Sequence, residues 1–218
     1  MSFRATRKAA TIHQLCLDPD GHEHCYHFQM QWAPLILCAP FWLGQPAITI
    51  DLAHGTDRER QTKALLEQVL ASYDLSKYTF TRRVVIEERA VNHAFPVLTL
   101  NVRFARSADE LLSSYIHEQL HWHLRARGAD QQEAIAELRR MYPGAPVGLP
   151  EGADTAVSTY GHLVDCYLEI QADRRLIGAE RTNAVIGDKA HYTWIYKTVL
   201  QDEPMIAAVV RGHHLEDQ

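Results

Sequence analysis

SADELLSSYIHEQLHWHLRARG, residues 107–128, carries both a helix start and a helix stop, and the rest of the chain is read outward from it. Ser107 and Glu110 form a capping box: the serine hydroxyl takes the amide three residues on, and the glutamate reaches back. Gly128 supplies the stop, so a helix is expected over about 108–127. Inside it, His117-Glu118-Gln119-Leu120-His121 sets two histidines four residues apart. That is slightly more than one turn, so both imidazoles leave the same face, about 6 Å apart at Cβ. One ion with metal–nitrogen bonds near 2 Å can bridge them. Glu118 sits one position round, close enough to reach a water on such an ion without taking a coordination position.

Upstream the chain reads as β-rich. TIHQLCL (11–17), the turn signal DPDG (18–21) and HCYHFQMQW (24–32) predict a hairpin. ITIDL (48–52), RRVVIEERAV (82–91) and PVLTLNVRF (96–104) predict further strands; in the last, Leu98, Leu100, Val102 and Phe104 alternate with Val97, Thr99, Asn101 and Arg103. Between them, Leu65, Leu66, Val69 and Leu70 at helical spacing predict an amphipathic helix from Asp57 to about Tyr73. Downstream, helices are expected over about 130–141, Asp154 to Ile177 (closed by Gly178) and 191–202, with a short one after Pro204. The expected fold is therefore α+β, one domain over 1–218 with a β-rich part (1–106) and a helical part (107–218).

Composition narrows the function classes. The chain has 218 residues, 46% hydrophobic and 22% charged, enough for a sizeable core. Its net charge of −5 lacks the basic excess of a nucleic-acid-binding surface, so no nucleic-acid partner is expected. No run of about 18 apolar residues predicts a membrane span. The basic first residues are followed by no apolar run of signal-peptide length, so a cytoplasmic setting is expected. Cys16, Cys25, Cys38 and Cys166 form no CxxC pair and are expected as free thiols. Thirteen histidines are roughly three times ordinary usage, a weak pointer to metal. GxSxG, P-loop and Rossmann patterns are absent.

A catalytic zinc usually takes three protein ligands, so two histidines leave the set incomplete. GHLVDCYLEIQADRRLIG (161–178) offers Glu169 with Asp173 four residues on, one helical face apart from the apolar residues. Glu169 can ligate while Asp173 accepts the distal N–H of a ligand histidine. His162, seven residues before Glu169, lies on the same face; as third ligand it would make the site all-histidine with Glu169 as its support, and otherwise it would line the cleft as a substrate contact. Cys166 is expected as wall, and His123 faces elsewhere.

HExxH followed on a later helix by Glu169-Ile170-Gln171-Ala172-Asp173 resembles the gluzincin group of zinc metallopeptidases, over perhaps 40 of the residues. The resemblance implies a zincin-like fold: a mixed or antiparallel sheet whose edge strand, PVLTLNVRF, rims the cleft over the active-site helix. It implies Zn2+ held by His117, His121 and Glu169, Glu118 as general base, Asp173 behind the ligands, and hydrolysis of a peptide or protein substrate. A tyrosine after the third ligand, Tyr192 or Tyr196, is the expected oxyanion donor. The substrate would add as a strand along 97–104. Two other readings stay open: a zincin-like binding or regulatory protein with little proteolysis, and a closed structural metal site. His22-Glu23-His24-Cys25-Tyr26-His27 reads as a polar hairpin or a second metal site.

Overall fold

The computed structural model describes residues 47–216 and, before them, residues 16–17 and 23–24 of two short strands. The chain divides into two compact units, Met1–Leu43 and Gly44–Gln218. In the first, β1 (Cys16–Leu17) pairs antiparallel with β2 (Glu23–His24); the rest of the expected hairpin, including DPDG, lies outside the described residues. The side chains of the His22–His27 cluster, and those of Cys16, Cys25 and Cys38, lie outside the described residues.

The second unit is mixed α/β and mostly helical, with a three-stranded sheet and seven helices among the described residues. Its strands are β3 (Thr49–Leu52), β4 (Arg83–Ile86) and β5 (Leu98–Leu100), in that order and all parallel. This corrects the mixed or antiparallel sheet expected for these segments. The physical reason is the crossover: α1 (Asp57–Ser72), capped by a Thr56–Glu59 box, carries the chain back so that β4 starts at the same end as β3. Val84, Ile86, Leu98 and Leu100 are wholly buried and give the sheet its core.

PVLTLNVRF is a strand only over Leu98–Leu100, and Val102–Phe104 forms a 3-10 turn instead. Asn101 breaks the ladder. Its side-chain amide donates to the carbonyls of Glu87 and Glu88 at 3.1 and 3.0 Å, while its Oδ1 accepts the Arg103 amide at 2.7 Å. Such side-chain bonds offer the backbone an alternative to a sheet partner. The outer edge of β5 is also occupied, because Thr99 exchanges both main-chain bonds with His93 at 3.1 and 2.8 Å. An added substrate strand therefore finds no free main-chain groups at Thr99, against the expected docking along 97–104.

Helix α2 (Ala108–Ala126) begins at Ser107 as read from the capping box, the hydroxyl accepting the Glu110 amide. Gln119 orients it: its amide oxygen accepts the amides of Phe80 and Thr81 at 2.7 and 2.8 Å, just ahead of β4. Gly128 opens α3 (Gly128–Met141) after the turn at Arg127. Helix α4 (Ala156–Ile177) is the central element, packed against α2, α3, α5 (Ala179–Gly187), α6 (Thr193–Gln201) and α7 (Glu203–Gly212). It ends at Gly178, whose φ of 82° a side chain would strain. Ahead of α4, a Cβ at Gly152 would stand 2.1 Å from the Pro146 carbonyl oxygen, so only glycine lets this loop close. The closed loop accepts the amides of Thr193 and Trp194 on the carbonyls of Pro150 and Glu151, fixing the start of α6. No helix among the described residues is long and apolar enough to cross a membrane.

Candidate metal centre

A helix buried all round is normally apolar all round. α4 is buried nearly throughout, yet His162, Asp165, Glu169 and Asp173 recur at three- and four-residue steps, one polar stripe in an apolar helix. The stripe meets the HExxH turn of α2. There His117, His121, His162 and Asp165 form a group that could hold a metal ion, their ligand atoms all within 4.8 Å of one another. His117, His162 and Asp165 are buried and His121 is partly buried.

The fit can be tested on distances. Ligands about 2.0–2.1 Å from a tetrahedral ion lie roughly 3.3 Å apart. Asp165 Oδ2 stands 3.4 Å from His117 Nε2 and 3.1 Å from His121 Nε2. Those contacts lack hydrogen-bond alignment, since neither Asp165 oxygen has a hydrogen-bond partner. Atoms that converge without bonding one another suit a shared cation. The imidazole nitrogens are sorted accordingly. His117 Nδ1 bonds Glu169 Oε2 at 2.9 Å and His162 Nδ1 bonds the Ser158 carbonyl at 2.7 Å, leaving Nε2 of each for an ion. Hydrogen bonds at the far nitrogen are how ligand histidines are held in tautomer and direction.

Charge makes the same argument. Burial raises the Asp165 carboxyl to about 7 and the Glu118 carboxyl to about 7. Burial and the Glu169 charge raise Asp173 to about 8. Burial disfavours charge on His117, but Asp165, Cys166 and Glu169 outweigh it and hold its pKa well above the ordinary value. Burial, then the charge on His117, keep His121 well below it, and the same causes bring His162 down to about 4. The metal-free site thus retains protons on acids that a divalent cation would displace.

Asp165, Glu118, Asp173 and His117 bind protons in the fold that the unfolded chain has lost above about pH 6.5. Where the native state holds more protons, stability falls as pH rises. Below pH 6.5 the depressed histidines, His121, His162 and His191 (the last about 4), act in the opposite sense and offset the acids. Metal-free protein should therefore lose Tm between about pH 6.5 and 8, and excess zinc should remove that loss. Thermal scans with and without zinc at the two pH values measure it; a flat metal-free Tm contradicts it.

Each expected site residue has a definite place. His117 and His121 lie in the cluster, and His162, the alternative third ligand, joins them. Glu169, expected as a ligand, is wholly buried and bonds His117 at Nδ1 at 2.9 Å, while Asp165 is the carboxylate that stands between His117 Nε2 and His121 Nε2. Glu169 also accepts Ser113 Oγ at 2.6 Å, Lys189 Nζ at 2.6 Å and Tyr196 Oη at 2.8 Å. Tyr196, expected as an oxyanion donor, has its buried hydroxyl donating to Glu169. Asp173 accepts no ligand-histidine N–H; neither oxygen has a hydrogen-bond partner, and the Ser113 hydroxyl beside it is committed to Glu169. Tyr192 does lie over the cluster, its ring centroid 4.4 Å from that of His162 and 6.2 Å from that of His117. Its φ of 58° is costly for a bulky residue, about 1–3 kcal/mol. Glu118 is buried with Oε2 unpartnered. Cys166, expected as wall, is buried and forms with His117 and Glu169 a second group whose ligand atoms lie within 4.8 Å of one another and could hold a metal ion; His123 bonds the Leu215 carbonyl at 3.0 Å.

Asp165, Ser113 and Lys189 went unread. The signal for Asp165 was phase, since it stands three residues after His162 and four before Glu169. No local pattern marks Ser113 or Lys189. Comparison with known proteins adds nothing to this geometry: no family model, no curated protein and no solved structure matches the chain.

Proposed function

We propose that the chain is a zinc-dependent peptidase of zincin-like, gluzincin-related design, with His117, His121, His162 and Asp165 holding the ion. The observation that carries the reading is Glu118 Oε2, a buried carboxylate oxygen without a partner, one residue from His117 in a group able to bind metal. Buried carboxylates are normally paired. One left free there, with a pKa of about 7, is suited to carry a proton at neutral pH. Three imidazoles and a carboxylate are nitrogen and oxygen donors of the kind zinc takes. The ligand set departs from the gluzincin pattern, which uses the glutamate of the second helix.

When bound, zinc supplies Lewis-acid polarisation of a water and of a peptide carbonyl. Glu118 takes the proton of the attacking water and delivers it to the departing amine. Glu169 keeps His117 in one tautomer through Nδ1, and Ser158 does the same for His162. The Tyr192 phenol, over the cluster and not spent on Glu169, is the donor for the developing oxyanion. The partner is a peptide or protein, in a cytoplasmic setting.

A second reading rests on ligand count. Four ligands from the chain fill a tetrahedral zinc, as in closed structural sites, so the peptidase reading requires the ion to take a fifth position for water, as catalytic zinc sometimes does. One assay separates the two: zinc-loaded protein is incubated with a peptide library, and the products are read by mass spectrometry with and without chelator. The peptidase reading expects cleavage that chelation abolishes and zinc restores. Cleavage that survives chelation, or no cleavage by fully loaded protein, sinks it.

A further inference from the structure

The loop between α5 and α6 carries Lys189, His191 and Tyr192. Lys189 runs inward from it: its side chain is only 10% exposed, and its Nζ reaches Glu169 Oε1 at 2.6 Å. Glu169 is the acceptor for four groups, of which the other three, Ser113, Tyr196 and His117, need carry no fixed charge. A wholly buried carboxylate is costly unless it is paired and hydrogen-bonded. Lys189 supplies the opposite charge. Its ammonium also lies 5.2 Å from the centroid of the Tyr196 ring, and Tyr196 holds the other Glu169 oxygen.

Three residues further along the same loop, Tyr192 lies tilted against His162 and stacked over His117 in a strained left-handed conformation. Strain of that kind persists only where neighbours over-determine it. The loop is pinned on both sides of Tyr192. On one side is the Lys189–Glu169 pair; on the other, the amides of Thr193 and Trp194 bond the carbonyls of Pro150 and Glu151.

We propose that Lys189 is a positioning residue that ties the metal site to its rim. By fixing Glu169 it fixes His117 for the ion, and by the same bond it holds the 188–192 loop with Tyr192 above the cluster. The proposal rests on the reading of the four-residue group as a metal site, and is independent of whether that site cleaves peptides. Partners behind metal-ligating histidines are worth about 10–100-fold in metal affinity. The loss should appear even though Lys189 touches no ligand.

The test compares wild type with Lys189→Met and Lys189→Arg, using zinc and cobalt(II) as probes. Lys189→Met should bind zinc about 10–100-fold more weakly in competition with a chelating dye. Its cobalt(II) visible spectrum should change, and the amides of 188–192 should exchange faster than in wild type. Lys189→Arg, which keeps the charge, should restore most of the affinity. Should Lys189→Met fail to fold, Lys189→Gln, which keeps a donor but not the charge, carries the same expectations. Wild-type affinity with an unchanged spectrum, or unchanged exchange in 188–192, overturns the proposal. A wild-type protein that binds neither metal overturns the site reading itself, and one that binds but cleaves nothing overturns only the peptidase reading.

Discussion

Glu118→Gln is expected to keep its zinc and lose about 10²–10⁴-fold in peptide turnover. The substitution is nearly isosteric and lies beside the ligands without being one, so metal content should stay at the wild-type value. What goes is the capacity to accept a proton from water and return it to the amine. The buried Oε2 has no partner in the fold, so no structural hydrogen bond is lost with it. Replacing a buried ionisable group by a neutral amide should leave Tm unchanged or raised. Zinc stoichiometry, Tm and turnover together make the test decisive. Equal turnover in the variant removes Glu118 from the mechanism, whereas loss of zinc would make it a ligand.

Asp165→Ala should have the largest effect on metal binding. The carboxylate is the one oxygen donor in the group, and its Oδ2 stands within 3.4 Å of both HExxH imidazoles. Removing it should weaken zinc binding well beyond the roughly 100-fold expected of a supporting residue. Glu169 provides the contrast. Replacing it alone would strand the buried Lys189 charge, so the fair comparison is the double variant Glu169→Gln with Lys189→Met. That protein should lose about 10–100-fold and still bind one zinc. Competition titrations with a chelating dye measure both. If the double variant loses zinc completely while Asp165→Ala retains it, Glu169 is the ligand and the assignment is reversed.

The contrast also marks what the sequence could reveal. The α2 start, the HExxH face and the end of α4 at Gly178 were legible because each depends on local chemistry: a cap, a turn spacing, a left-handed glycine. His117, Glu118 and His121 come from one helical turn, so their relation holds wherever the helix packs. The third ligand depends on how far α4 slides along α2, and residues one turn apart on α4 share a face. Glu169 and Asp165 differ by four residues, about 6 Å of helix rise. The helical spacing names the stripe without naming the member that stands between both imidazoles, which in the fold is Asp165.

The sheet went differently. Parallel pairing of β3 with β4 follows from the α1 crossover, and the 87–97 segment returns the chain so that β5 also runs parallel, whereas a mixed or antiparallel sheet is what the family resemblance implies. PVLTLNVRF alternates well enough for a strand over nine residues, but the Asn101 side chain captures the carbonyls of Glu87 and Glu88 and turns the chain after three. Lys189 lay beyond local reasoning altogether, 20 residues from Glu169 in sequence and joined to it only by the fold. Tyr192 and Tyr196 illustrate the same limit at the start of α6. Four residues apart, the first lies against the histidines from the loop and the second, on the helix, bonds Glu169 behind them.

The proposed metal site of three imidazoles and one carboxylate lies where α2 and α4 meet. Anomalous diffraction at the zinc edge, from crystals of zinc-loaded wild-type protein, locates the ion and its ligands. A single strong peak is expected in this unit, bonded by His117, His121 and His162 through Nε2 and by Asp165, with Glu169 still on His117 Nδ1. A peak ligated by Glu169 in place of Asp165, or no peak between the two helices, would contradict it.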